Sequence, residues 1–204
     1  MQWNNYFPAS TVEYCYDLWQ QHGFLFIIAK NRRTRLGDYQ YSSLKGHRIS
    51  VNGTLNPYAF TFTYLHEVAH LLTQKQVISL TTGKRRPKVL PHGKEWKQNF
   101  RDLMQPMLAG EAFPLPLRLA LQTHMVNPAA TSGSDAALLA IFRTYDEAPA
   151  TNKILLAEVA HGEHFSLNGR VFVKETTRRT RALCRDVKTQ RKYTVSEAAM
   201  VEKA

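Results

Sequence analysis

The residues in this chain whose types and spacing could carry out chemistry form the motif HEVAH, His66 to His70. Histidines four positions apart lie one above the other on a helix, so the imidazoles of His66 and His70 can reach one metal ion together. Glu67 is turned to the side of that pair, where its carboxylate can hold a water molecule and take its proton. Two imidazoles, a carboxylate base and an open coordination position are typical of a catalytic zinc site.

The sequence around this motif predicts the helix that the chemistry requires. Asn56-Pro57 is typical of a helix N-cap followed by proline at the first helical position, and residues 58–76 continue as one helix. Apolar residues recur at helical spacing and leave both histidines off the apolar stripe. These residues are Leu65, Val68 and Leu72. The alternative, two surface histidines beside a solvated glutamate, is less favoured because the motif lies on a helix.

A catalytic zinc usually has a third protein ligand, and the sequence offers two candidates. The metzincin pattern HExxHxxGxxH is excluded, because LLTQKQ follows His70 and supplies neither the glycine nor the histidine. His92 lies just before a predicted helix that begins near Gly93, and Glu95 lies within its first turn. Either side chain could coordinate, and a glutamate would correspond to the thermolysin type of site.

HEVAH followed by HGKEW at residues 92–96 resembles the SprT-like (Spartan-like) family of zinc metalloproteases, whose pattern is HExxH and then HGxxF or HGxxW. The resemblance implies that His66, His70 and His92 bind one Zn²⁺ and that Glu67 is the general base. Trp96 matches the aromatic residue after HG and is interpreted as a packing residue. The family also suggests a substrate class, proteins attached to or lodged on DNA, and hence a role in DNA–protein crosslink repair.

The resemblance extends upstream of the motif and covers about the first half of the chain. RLGDYQY, 35–41, and HRISVN, 47–52, resemble the strands that precede the active-site helix in the family. The fold class expected is therefore α+β, with a zincin-like core of an N-terminal helix, a small β-sheet, the HExxH helix and further helices. We expect this metalloprotease domain to span 1–150 and a small, basic, β-rich unit to span 151–204.

Periodicity and turn residues predict the individual elements. Helices are predicted at 10–21, 58–76, 94–108, 117–124 and 135–145. Strands are predicted at 24–30, 36–41 and 47–51, and in the C-terminal unit at 165–173, 178–186 and 191–195, with a turn at Asn168-Gly169. Bacterial members of the family end in a zinc ribbon with two cysteine pairs, whereas this region offers only Cys184. We therefore expect a degenerate, ribbon-like β unit that folds without metal.

The charge of the chain predicts a polyanionic partner. The net charge is +11, and residues 165–204 hold ten Lys and Arg against four Asp and Glu. Such an excess attracts nucleic acid. The residues predicted to contact DNA belong to two basic clusters: Arg85, Arg86, Lys88, Arg178, Arg179 and Arg181. Taken singly, each cluster is better explained as a solvated basic loop that aids solubility. Taken together with the family resemblance, the clusters favour nucleic-acid binding.

Composition predicts a cytoplasmic protein without a membrane partner. The N-terminus lacks a basic region followed by an apolar run, and no apolar stretch approaches membrane-spanning length. Cys15 and Cys184 are expected to be reduced thiols. Two alternatives to a DNA-directed protease stay open: a small metallopeptidase that needs no DNA, and a nucleic-acid-binding module whose zinc is not catalytic.

Overall fold

The computed structural model of this chain of 204 residues describes residues 2–30, 32, 35–79, 90–128, 135–147 and 153–204. Its residues group into two compact units, Met1–Ala130 and Thr131–Ala204. The described residues form five α-helices and two β-sheets, so the α+β class predicted from the sequence is confirmed. No described helix is both long and apolar enough to cross a bilayer.

The first unit contains four α-helices and a three-stranded sheet. In chain order its elements are α1 (Val12–His22), β1 (Leu25–Ala29), β2 (Gly37–Ser42), β3 (Gly46–Asn52), α2 (Pro57–Ser79), α3 (Lys94–Ala109) and α4 (Leu115–Val126). Each helix and strand of this unit predicted from the sequence is present, with bounds that differ by at most three residues. Periodicity identified them because each element buries one face of its own local pattern.

The small sheet has β3 in the centre, with β1 parallel to it on one side and β2 antiparallel on the other. Ile49 and Val51 of β3 are fully buried, and Val51 pairs with Gly37 on β2. The sheet therefore has one apolar face. Both β2 and β3 pack against α2. This arrangement brings β2, an edge strand, next to the helix that carries HEVAH.

Helix α2 is the central element of the first unit. The Asn56 side-chain oxygen accepts a hydrogen bond from the Ala59 N–H at 3.0 Å, which confirms the predicted N-cap. Apolar residues cover most of the helix circumference, because α2 is enclosed by the sheet on one side and by α3 on another. Those with no more than 1% exposure are Phe60, Phe62, Tyr64, Leu65, Val68, Ala69 and Leu71. A helix buried on most sides holds its polar motif in a fixed place.

The second unit consists of α5 (Ala136–Arg143) and a six-stranded sheet. Its strands are β4 (Lys153–Leu155), β5 (His164–Leu167), β6 (Arg170–Arg178), β7 (Arg181–Asp186), β8 (Lys192–Ser196) and β9 (Met200–Lys203), in the order β4-β9-β5-β6-β7-β8. The predicted turn at Asn168-Gly169 is confirmed, and both residues have positive φ, as a two-residue hairpin turn requires. The predicted strand 165–173 is therefore two strands, β5 and the start of β6.

The interior of the second unit combines apolar side chains with one buried ion pair. Phe165, Phe172 and Cys184 belong to its apolar core. Among them the Lys174 side chain is only 3% exposed, and its Nζ donates to Glu197 Oε2 at 3.2 Å and to the Leu156 carbonyl at 2.8 Å. On folding, the Lys174 ammonium therefore loses its hydrogen bonds to water and gains hydrogen bonds to a carboxylate and a carbonyl. Side-chain packing and this pair hold the sheet together.

We expect Lys174→Met to destabilise the second unit by about 3 kcal/mol, because it leaves the buried Glu197 carboxylate without its cation. The double variant Lys174→Met/Glu197→Leu should regain most of that loss, since it removes both charges and keeps the volume apolar. Hydrogen exchange of the β6 and β8 amides in the full chain measures both effects. Equal exchange in Lys174→Met and the parent chain would contradict this view of the core.

Candidate metal centre

Three histidines of the first unit converge on one point. A ligand nitrogen from each of His66, His70 and His92 lies within 4.8 Å of the other two, and His70 Nε2 is 2.9 Å from His92 Nε2. The ring centroids of His66 and His70 are 5.1 Å apart, as the four-residue spacing on one helix predicts. This group could hold a metal ion, and the described residues contain no second group of this kind.

The third histidine reaches the pair because of the turn before α3. His92 has φ +58, a left-handed conformation that is uncommon for a residue other than glycine. Strained backbone conformations of this kind cluster at functional sites. At Gly93 a Cβ atom would lie 2.9 Å from the Leu90 carbonyl oxygen, so this position requires glycine for lack of space. The turn at His92 and Gly93 therefore directs the His92 imidazole back toward α2.

Trp96 forms a wall behind the three imidazoles. Its side chain is fully buried, and its ring lies 4.7, 5.4 and 4.6 Å from the rings of His66, His70 and His92. Phe100, one turn further along α3, packs against Trp96 with ring centroids 5.0 Å apart and the planes tilted by 33°. The aromatic wall limits the directions in which each imidazole can turn, so the three ligands stay aimed at one point.

Burial keeps the imidazoles neutral. It is the largest cause that lowers the pKa of all three histidines, and for His66 the neighbouring histidines lower it further. The pKa of His70 falls to about 4, through burial and then through His92. A metal requires imidazole in its neutral form. At neutral pH the three side chains are therefore already in the protonation state that coordination needs.

Glu67 lies beside the histidine group and faces the edge strand β2. The side chain is 7% exposed, and burial, followed by the negative charge of Asp38, raises its pKa to about 8. A hydrogen bond from the Tyr39 main-chain N–H opposes this rise by stabilising the carboxylate. A cation on the adjacent imidazoles would oppose it too, because opposite charge favours the ionised form.

Gly37 leaves the space that the Glu67 carboxylate occupies. A Cβ atom built at Gly37 would lie 2.6 Å from Glu67 Oε1 and 2.7 Å from the Thr63 methyl carbon. Both distances are far shorter than real contacts of a Cβ atom, so any side chain at position 37 must displace the carboxylate. The edge strand therefore approaches α2 as closely as it does only because residue 37 is glycine.

The donor set fits a metal of the zinc type. Three neutral imidazoles are the protein ligands of one well-known class of catalytic zinc site, and they leave a further coordination position open. Glu95, the other candidate for third ligand, has an exposed side chain and does not belong to the described histidine group. Of the two candidates for the third ligand, the geometry therefore favours His92.

The predicted DNA contacts fall into two sets. Arg85, Arg86 and Lys88 lie outside the described residues. Arg178, Arg179 and Arg181 surround the turn between β6 and β7, where all three are exposed. The Arg181 guanidinium donates to the Thr194 carbonyl at 2.7 Å, and no ion pair among the described residues involves these three arginines.

The sequence reasoning missed Gly37, Tyr39 and His47 as neighbours of the site. Tyr39 contributes its N–H to Glu67, its ring lies parallel to that of His70, and its hydroxyl bonds to His47. A usable signal was present in GDYQY, because strand alternation places residues 37, 39 and 41 on one face of a strand beside the HEVAH helix.

In comparisons with known proteins, no protein-family model, no curated protein and no solved structure matches this chain. The resemblance to the SprT-like family therefore rests on the sequence motifs alone.

Proposed function

We propose that the protein is a zinc-dependent metallopeptidase. One observation carries the proposal: the imidazoles of His66, His70 and His92 converge within 4.8 Å, and the helix that carries His66 and His70 also carries the buried carboxylate of Glu67. A purely structural zinc site has no need of such a base. His66, His70 and His92 would hold the ion, which when bound polarises a carbonyl and acidifies water.

The chain's own residues account for the proton transfers of peptide hydrolysis. Glu67 accepts the proton of the attacking water and then delivers it to the departing amine, so one carboxylate serves as base and acid in turn. The Tyr39 N–H fixes the carboxylate and Gly37 leaves room for it. Glu67 is only 7% exposed, and low exposure to bulk water strengthens the interactions of its carboxylate with the reacting groups.

The proposal includes a zincin-like core of the SprT-like type and substrates that are associated with DNA. Its support is HEVAH with HGKEW, the local excess of basic residues in 165–204, and the exposed arginines at the β6–β7 turn. DNA bound by the second unit would tether a DNA-bound protein to the chain that carries the metal centre, and so raise its local concentration.

Removing and restoring the metal tests whether it acts in catalysis. We expect a chelator to abolish cleavage of an unstructured protein such as casein and one equivalent of Zn²⁺ to restore it, with unchanged far-ultraviolet circular dichroism throughout. A structural ion would unfold the first unit on removal. DNA binding that persists while no zinc-loaded preparation cleaves any substrate would support the alternative of a nucleic-acid-binding module.

A variant at the β6–β7 turn tests the role of DNA. The triple variant Arg178→Ala/Arg179→Ala/Arg181→Ala should weaken binding of single-stranded DNA and lower the slope of log K against log salt by about two, because each neutralised phosphate contributes about 0.7 to that slope. The control is Lys153→Ala, which removes an exposed cation of the same unit that is already paired with the exposed Glu202 at 3.5 Å. If the parent chain cleaves a DNA-binding protein at the same rate in the presence and absence of DNA, that result would favour a DNA-independent metallopeptidase.

Gly37→Ala should lower kcat for hydrolysis by about 100-fold and leave one zinc bound, because the added methyl group displaces Glu67 and not the histidines. Zinc content by mass spectrometry and steady-state rates measure the two effects. Gly110→Ala is the matched control, since its Cβ atom would approach no atom closer than 3.5 Å. Full activity in Gly37→Ala would show that the carboxylate position does not matter.

A further inference from the structure

One face of the edge strand carries more than the contact with Glu67. Tyr39 pairs with Ile49 and Tyr41 pairs with His47 across β2 and β3, and paired residues of antiparallel strands point to the same side. Gly37 lies on that side as well, and its missing side chain would point at Glu67. Tyr39, Tyr41 and His47 therefore face the same side of the sheet as the catalytic carboxylate.

Tyr39 contacts both functional groups of the metal centre. A hydrogen bond from its main chain lowers the pKa of Glu67, and its ring lies 6.3 Å from the His70 ring with only 5° between their planes. Its hydroxyl oxygen lies 2.8 Å from His47 Nδ1. Among the described residues, Tyr39 is the tyrosine whose ring lies beside a histidine of the metal group.

Two threonine hydroxyls of α2 are engaged within the helix. Thr63 donates to the Ala59 carbonyl at 2.8 Å and Thr73 donates to the Ala69 carbonyl at 2.7 Å. The partner of the Tyr39 hydroxyl is different, because an imidazole nitrogen can either donate or accept. When His47 Nδ1 donates its hydrogen to the Tyr39 oxygen, the phenolic hydrogen is available for a second acceptor.

We propose that Tyr39 is a further catalytic residue, whose hydroxyl donates a hydrogen bond to the carbonyl oxygen of the scissile peptide as that oxygen becomes negative. His47 is its positioning residue, since its Nδ1–H donates to the hydroxyl oxygen and leaves the phenolic hydrogen free for the carbonyl oxygen. This inference rests on the proposed function, peptide hydrolysis at the histidine group, and adds the group that stabilises the developing charge.

The step balances without a further reactant. Water attacks the carbonyl carbon, a C–O bond forms, the C=O π bond breaks and its electron pair moves to the carbonyl oxygen. Glu67 holds the proton from the water, and the Tyr39 hydroxyl keeps its own proton throughout. When the C–N bond breaks, the carbonyl re-forms, the amine receives the proton from Glu67, and the hydrogen bond from Tyr39 weakens. The hydroxyl therefore acts most strongly when the charge is largest.

The test compares variants that remove only the hydroxyl or only its partner. Tyr39→Phe keeps the ring beside His70 and the N–H on Glu67, and we expect kcat on casein to fall by about 100-fold with KM and zinc content unchanged. His47→Leu should lower kcat by about tenfold, and His47→Asn should stay within about threefold of the parent because its amide can replace Nδ1. Tyr41→Phe, on the same face of β2, is the matched control and should keep full activity.

A second readout is independent of turnover. A peptide phosphonate, made from a bond that the parent chain cleaves in casein, mimics the tetrahedral intermediate, and its affinity for zinc-loaded Tyr39→Phe should fall by about the same factor as kcat/KM. Parent-like kcat and phosphonate affinity in Tyr39→Phe would overturn the inference and leave the peptidase standing. Equal losses in Tyr39→Phe and Tyr41→Phe would overturn it too, since they indicate a general disturbance of β2. Absence of Glu67-dependent hydrolysis in the parent chain would instead remove the proposed function itself.

Discussion

Glu67→Gln is expected to lower kcat for peptide hydrolysis by about 10⁴-fold, the upper end of what a general base contributes, while one zinc stays bound. The glutamine has the same shape as the glutamate but cannot accept the proton of the attacking water. Its neutral amide suits a site that is 7% exposed and that already raises the pKa of the carboxyl to about 8. The fold should therefore survive the change, and the loss should appear in kcat and not in KM.

The control for this substitution is Glu95→Gln, the same chemical change on an exposed residue close to the third histidine. The single-turnover rate of Glu95→Gln and its zinc content by native mass spectrometry should equal those of the parent chain. A Glu67→Gln protein that retains more than about a tenth of the parent rate would exclude general-base catalysis by this residue.

His92→Ala is expected to weaken zinc binding by more than about 100-fold, because residues that only hydrogen-bond to a metal ligand already contribute about 10–100-fold. Loss of His92 leaves only the two imidazoles of α2, which do not make a catalytic zinc site. Competition with a coloured chelator measures the affinity, and hydrolysis at micromolar zinc should disappear with it. Glu95→Ala should bind zinc as the parent does.

The unusual backbone at position 92 needs its own control. His92 has φ +58, and asparagine accepts this conformation more readily than alanine does. His92→Asn therefore keeps the turn and removes the imidazole. Zinc loss in both His92→Ala and His92→Asn attributes the effect to the ligand, whereas normal binding in His92→Asn would attribute it to the turn. Zinc loss in Glu95→Ala with normal binding in His92→Ala would move the protein to the glutamate-ligand class.

The metal group could be predicted from the sequence because its geometry is mostly local. His66 and His70 owe their proximity to helix periodicity alone, and the Asn56 N-cap marks where that helix begins. His92 required a choice between two nearby residues, and the sequence left that choice open except through a family resemblance. The left-handed turn that brings this imidazole to the pair is a conformation of one residue, which side-chain patterns do not reveal.

The alternation in GDYQY marks residues of β2 that share a face, but the contacts made by that face depend on strand pairing, which the sequence does not specify. The contact of Gly37 with Glu67 joins residues thirty positions apart, and it exists only once β2 has paired with β3 and packed on α2. Likewise, His47 meets Tyr39 across a hairpin whose register the sequence does not specify. In the second unit, β4 and β9 have three and four residues and pair mainly with each other, so neither carries a periodic signal long enough to detect.

The measurement that tests the central claim most directly is the identification of new peptide termini. The zinc-loaded chain, the chelated chain and zinc-loaded Glu67→Gln would each be incubated with an unstructured protein and with a DNA-binding protein, and the products sequenced by mass spectrometry. We expect internal cleavage of peptide bonds by the zinc-loaded parent chain alone. Stoichiometric zinc without new termini from any substrate, or identical termini with Glu67→Gln, would contradict the proposed peptidase mechanism.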